Sequence, residues 1–175
     1  MDDRQVVAVQ ISREPRSIVD VVARCPLGLP TVTKVPPHLD DGTPFPTTFW
    51  LTCPLALRRI GRLEADGGVK KAEALLDSEP ALATAHRQAM DRYERERDAL
   101  IEADTPHHRP SGGVGGTRRG VKCLHAHYAD HAAGNANPIG FETAATVEPL
   151  DCSIPCVVSA GGMATRNPDW VEPSR

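Results

Sequence analysis

The sequence predicts an α+β fold: a small, mainly antiparallel sheet packed by three or four helices, with long Gly/Pro-rich loops. Three observations point there. β-Branched and aromatic runs at residues 18–35 and 47–52 are broken by turn signals, as hairpin strands are. Apolar residues at helical spacing follow from Pro54 to about Ala103. Sixteen prolines and fourteen glycines among 175 residues leave little room for long uninterrupted elements. Aromatics are only 4% of the chain, so the core must be built mostly from Val, Leu, Ile and Ala. The length suits a single domain, expected over residues 1–160.

Asp3–Ile11 opens the chain as a short helix or strand, since Val6, Val7, Val9 and Ile11 fit either period. Ile18–Arg24 is valine-rich and reads as a buried strand. Cys25-Pro-Leu-Gly-Leu-Pro30 marks a tight reversal into a second strand at Thr31–Val35. A loop over Pro36–Pro46 leads to a third strand, Thr47–Thr52. Pro54 suits the first turn of a helix running to about Ala65, with Thr52 or Cys53 as its cap, and Asp66-Gly67-Gly68 ends it. A thiol at that position feels the positive end of the helix dipole, which favours thiolate. Val69–Leu76 is a short helix. Ala81–Ala103 is the longest helical pattern, with Leu82, Ala85, Ala89, Tyr93 and Leu100 on its apolar stripe and charges from Asp91 to Asp98, Arg97 included, on a solvated face. Phe141–Val147 is expected to be a fourth strand, and residues 161–175 a disordered polar tail.

A net charge of −3 argues against general nucleic-acid binding. No apolar run approaches the roughly 18–20 residues of a membrane span, and Met-Asp-Asp-Arg lacks the features of a signal peptide, so a cytoplasmic protein is expected. Five cysteines, an odd number, fit free thiols better than a disulfide framework.

The chemistry concentrates between Ser111 and Gly140. Gly112-Gly-Val-Gly-Gly116 precedes Thr117, Arg118, Arg119 and Lys122, so Gly115 and Gly116 amides with three cations are candidate anion contacts. The pattern lacks the Gly-Lys-Ser/Thr ending of a P-loop. If Val121–Ala133 is a helix, Cys123, His127 and His131 share one face at four-residue spacing. If its start is extended, Cys123, His125 and His127 share a face instead. Either way thiolate and imidazole converge. Cys152 and Cys156 lie four apart, a spacing within the range of zinc ligands. Cys25 and Cys53 are each followed by proline, a neighbour also found beside iron–sulfur ligands.

Several separated motifs together resemble one family. Arg24-Cys25-Pro26 with Gly28 and Pro30, Asp41-Gly-Thr-Pro-Phe-Pro46 leading into Phe49-Trp-Leu-Thr52, Arg62-Leu-Glu-Ala65 and Lys122-Cys-Leu-His-Ala126 are similar to the bacterial domain-of-unknown-function family 501. The resemblance runs from about residue 3 to residue 158 and implies no particular reaction.

Three functions follow from the residues. The first is metal binding, by zinc or alternatively an iron–sulfur cluster, with ligands drawn from Cys25, Cys53, Cys123, His127, His131 and Cys156. The second is an enzyme acting on a phosphorylated or otherwise anionic small molecule, held by Arg118, Arg119 and Lys122, with His125 or His127 as general acid/base and Asp130 orienting a histidine. The third is a scaffold or regulatory protein that engages an unidentified protein partner through the mixed-charge helix.

Overall fold

The computed structural model describes residues 1–174. Helix α1 (Asp3–Ile11) precedes a three-stranded antiparallel sheet of β1 (Asp20–Arg24), β2 (Pro30–Lys34) and β3 (Phe49–Leu51), in the order β1-β2-β3. Helices α2 (Pro54–Ala65), α3 (Gly68–Ser78), α4 (Pro80–Asp98), α5 (Leu124–Ala132) and α6 (Pro138–Val147) follow. Strands β4 (Val157–Ala160) and β5 (Met163–Arg166) close the chain as a hairpin that packs on α1. The expected α+β class with a small antiparallel sheet is what forms. Among the described residues, no helix is long and apolar enough to cross a membrane.

The β1–β2 reversal falls where its residues require it. Gly28 sits at φ +78°, a conformation that favours glycine, and its N–H donates to the Cys25 carbonyl at 2.8 Å. β2 is the middle strand and is buried along most of its length. β1 is not the buried strand expected: it is an edge strand with an irregular register, and its residues alternate between exposed and half-buried. Among the described residues it pairs with β2 alone, which leaves its residues more exposed than those of the middle strand.

α2 begins as predicted, with extended Cys53 as the cap and Pro54 in the first turn, and it buries Leu55, Ala56, Arg59 and Ile60. Leu55, Ala56 and Ile60 join Tyr93, Val114, Leu124, Tyr128, Ala129 and Ile139 in the main core, with Val32 and Leu51 contributed by the sheet. α4 is shorter than expected and rotated from the predicted stripe. It buries His86, Ala89, Met90, Tyr93 and Arg97, while Leu100 lies beyond its end and is exposed. Arg97 therefore leaves the charged face for the interior. Its guanidinium is satisfied there by the Gly112 carbonyl and by Asp98 Oδ1 at 2.7 Å, as a buried charge must be.

Two expectations late in the chain are corrected. Phe141–Val147 is helical, not a strand, because Asn137 and Pro138 start a helix there. The Asn137 side chain accepts from Gly140 N at 2.9 Å, and Pro138 occupies the first turn. A Cβ on Gly140 would run into the His127 carbonyl, so glycine lets α6 close against α5. The tail from Gly161, expected to be disordered, contains β5. Beyond it, the Trp170 ring lies under the Arg58 guanidinium at 5.0 Å, and Glu172 pairs with Arg62. The last residue of that tail, Arg175, lies outside the described residues.

Tyr93 joins α4 to the sheet. Its buried hydroxyl oxygen accepts from Thr48 N at 2.6 Å and Phe49 N at 3.2 Å, and burial pushes its pKa up to about 12. Tyr93→Phe leaves those two amides without this acceptor, so we expect a loss of about 1–3 kcal/mol. Urea denaturation should show a lower midpoint at unchanged m-value.

Candidate metal centre

One group of side chains comes close enough to share an ion. Glu64 lies in the last turn of α2, Cys123 caps the N-terminus of α5, and His125 stands in that helix's first turn. One ligand atom from each lies within 4.8 Å of the other two. The arrangement depends on the backbone at Cys123, which is extended (φ −161°, ψ 127°) and passes directly into the helix. Glu64 Oε1 accepts from Leu124 N at 2.6 Å and faces His125 Nδ1 at 3.2 Å. The other ring nitrogen, Nε2, lies 3.2 Å from the Leu57 carbonyl oxygen. A carbonyl can only accept, so that contact assigns a proton to Nε2. Burial opposes charge on His125. The hydrogen bond with Cys123, the Glu64 carboxylate and the Leu57 carbonyl outweigh it and raise its pKa to about 9.

A cleft of about 320 Å³ adjoins this group, lined in part by Phe49, Trp50, Leu57, Lys122, Cys123 and His125. It is mostly apolar, with the Lys122 ammonium on its exposed side, 3.2 Å from the Gly115 carbonyl. Of the predicted anion contacts, Gly115 and Lys122 line the cleft. Gly116 packs toward Pro46, and Arg118 and Arg119 are exposed on the surface. The glycine segment is anchored to α4: Gly112 accepts from Arg97, and its amide donates to Glu94 Oε1 at 3.1 Å. That amide already serves an internal carboxylate.

The other predicted ligands lie elsewhere. Because α5 starts after Cys123, the thiol stands with His125 and not with His127 and His131. The His131 ring meets Phe141 edge-on, at 5.8 Å between centroids. Cys25, Cys53 and Cys156 line a separate narrow pocket, together with Cys152. Cys53 does sit at a helix N-terminus, but the dipole does not govern it. Burial pushes its thiol up to about 11, against hydrogen bonds from the Ala56 and Leu55 amides. Glu64 was not among the predicted ligands. It is 59 positions from Cys123 in the chain, and no spacing signal links them.

The class so defined is a small α+β protein with a Cys/His/Glu cluster beside an apolar cleft. The chain belongs to the family of proteins of unknown function DUF501, whose model matches residues 21–145. No curated protein and no solved structure matches it.

On the opposite side of α5, His127 is buried in a polar network that engages its Nδ1 but leaves its Nε2 without a hydrogen bond. It is 1% exposed, its Nδ1 lies 3.1 Å from Asn137 Oδ1, and its ring is tilted against that of His86, with centroids 5.3 Å apart. Asp130 does not orient a histidine directly. It holds Asn137 Nδ2 at 2.9 Å and accepts from Arg92 at 2.6 Å. Burial, with a smaller contribution from His86, pushes the His127 pKa down to about 4 although Asn137 favours charge. An unfolded imidazole titrates near about 6.5. The unfolded chain therefore takes up a proton that the native state excludes, and stability falls as pH drops from about 6.5 towards 4. His127→Gln should flatten that part of the profile relative to the parent when Tm is followed against pH.

Proposed function

We propose that the protein binds a divalent transition metal, zinc by preference, through Glu64, Cys123 and His125, and presents it to a small anionic molecule in the adjoining cleft. The observation that carries this reading is the approach of three unlike ligand atoms to within 4.8 Å of one another. Mixed S, N and O donors suit zinc, whose bonds of about 2.0–2.3 Å need only a small contraction from that spacing. Two ligands are already oriented from behind. Nε2 of His125 is committed to the Leu57 carbonyl, so Nδ1 is the atom that would release its proton to take the metal, and Leu124 N holds Glu64. Three protein ligands beside a cleft leave a coordination position for water or substrate, the arrangement of catalytic zinc. Lys122 supplies a positive charge for an anionic group there.

Metal-free acid–base catalysis has less support. Both ring nitrogens of His125 face acceptors, and a pKa raised to about 9 keeps it protonated near neutrality. His127 is buried away from the cleft, among Asn137 and His86.

Zinc titration by calorimetry tests the reading. Replacing Cys152 and Cys156 by serine in every sample keeps the separate thiol pocket from competing. In that background Cys123→Ser and His125→Ala should each weaken binding about 100-fold, and Glu64→Gln about 10-fold. Unchanged affinity in folded Cys123→Ser protein would sink the proposal.

A further inference from the structure

Four of the five cysteines meet at a second place, which shares no ligand with the Glu64–Cys123–His125 cluster. Cys25 begins the β1–β2 turn, Cys53 caps α2, and Cys152 and Cys156 lie in the connection between α6 and β4. Three distant segments thus bring their thiols to one narrow pocket, which Leu29 and Leu55 also line. None of the four is in a disulfide. Cys53 is buried in the main core, Cys152 packs at its margin, and Cys25 and Cys156 pack at the margin of the cluster of Val6, Leu29 and Val157, so all four thiols stand where the two apolar clusters meet. Burial raises the pKa of Cys53 and Cys156, and the neighbouring thiols add to it: Cys156 and Cys25 for Cys53, Cys25 and Cys152 for Cys156.

That burial opposes a lone thiolate at Cys53 or Cys156, but two N–H groups are directed at sulfurs of the pocket. Trp170 Nε1–H points at Cys152 Sγ, 3.4 Å away. Gln10 Nε2 lies 3.9 Å from Cys156 Sγ, and its amide is fixed by donating to the Pro30 carbonyl at 2.9 Å. Gln10 is itself 7% exposed, so this donor is a buried amide aimed at a sulfur, unlike a mobile surface group. N–H groups directed at cysteine sulfurs are how proteins orient thiolate ligands and tune the centres they hold.

We propose that Cys25, Cys53, Cys152 and Cys156 form a four-thiolate centre for a thiophilic metal, occupied by one zinc ion or by an iron–sulfur cluster. Both occupants take four cysteine thiolates. Binding releases the thiol protons to solvent and leaves the oxidation state of sulfur unchanged. The centre would staple the β1–β2 turn, the start of α2 and the C-terminal connection to one another. The occupants differ in the spacing they need. A single zinc at about 2.3 Å from each sulfur draws the thiolates to within about 4 Å of one another. Among the described residues, no three of these sulfurs lie mutually within 4.8 Å, so zinc requires the pocket to contract. A cluster spreads its thiolates more widely and requires it to open.

The test uses the full chain carrying Cys123→Ser, which removes the thiol of the other site. One portion is purified anaerobically and reconstituted with sulfide and equal amounts of ferrous and ferric iron, the oxidation level of a cluster with four iron and four sulfide, and another is titrated with zinc. The expected result is either about four iron and four sulfide per chain with broad visible absorption, or one tightly held zinc, with a raised Tm in each case. Further substitution of the partly exposed Cys25→Ser or Cys152→Ser should abolish that occupancy. If those variants fail to fold, alkylation followed by mass spectrometry on the Cys123→Ser protein gives the answer: metal should protect all four remaining thiols. No metal uptake, uptake unaffected by Cys25→Ser and Cys152→Ser, or equal alkylation with and without metal would overturn the proposal. Zinc binding lost only when Cys123 is replaced in otherwise native protein would concern the other site alone, so the two readings fail separately.

Discussion

Arg59 is the side chain on which the placement of the thiol pocket depends. It is 6% exposed and donates to the Val147 carbonyl at 2.8 Å, the Pro149 carbonyl at 2.5 Å and Asp151 Oδ1 at 2.9 Å. These three acceptors offset the cost of burying the two terminal nitrogens of the guanidinium, and they hold the chain leaving α6 against α2 at three points. The residue after Asp151 is Cys152. The clamp therefore returns the C-terminal segment to the end of α2 that carries Cys53, and it makes the four-thiol pocket possible.

α2 also separates the two candidate sites. Cys53 and Glu64 are eleven residues apart, which is about 16 Å along a helix axis. The thiol pocket lies at the N-terminal end, and the Glu64–Cys123–His125 cluster towards the C-terminal end, with the Leu57 carbonyl serving His125 between them. Movement of the helix would disturb both. Its burial of Leu55, Ala56 and Ile60 in the main core opposes such movement.

α5 divides its histidines in a comparable way. His125 and His127 are two positions apart, about 200° around a helix, so they face opposite environments. On one side a carboxylate and a carbonyl stabilise the charged ring and hold His125 near pKa 9. On the other, burial and a neighbouring imidazole keep His127 neutral down to about 4. Two residues of one type thus acquire opposite protonation states from packing alone.

Features that depend on neighbours along the chain are legible in the sequence. Pro54 and Asp66-Gly67 delimited α2, the Cys25–Pro30 turn implied the β1–β2 hairpin, and the thiol and imidazoles at 123–131 were visible as a chemical segment. Phe141–Val147 carries side chains that suit a strand, yet it is helical, because the Asn137 cap and Pro138 start a helix ahead of it. Only the tertiary structure decided which groups meet. Glu64 joins Cys123 across 59 residues, Cys152 completes a pocket begun at Cys25, Arg97 turns inward and the tail folds back onto α1 and α2. The physical reason is that periodicity, turns and caps are set within a few residues, whereas convergence of ligands is set by the packing of segments far apart in the chain. The sequence supplied the donors, and packing chose their partners.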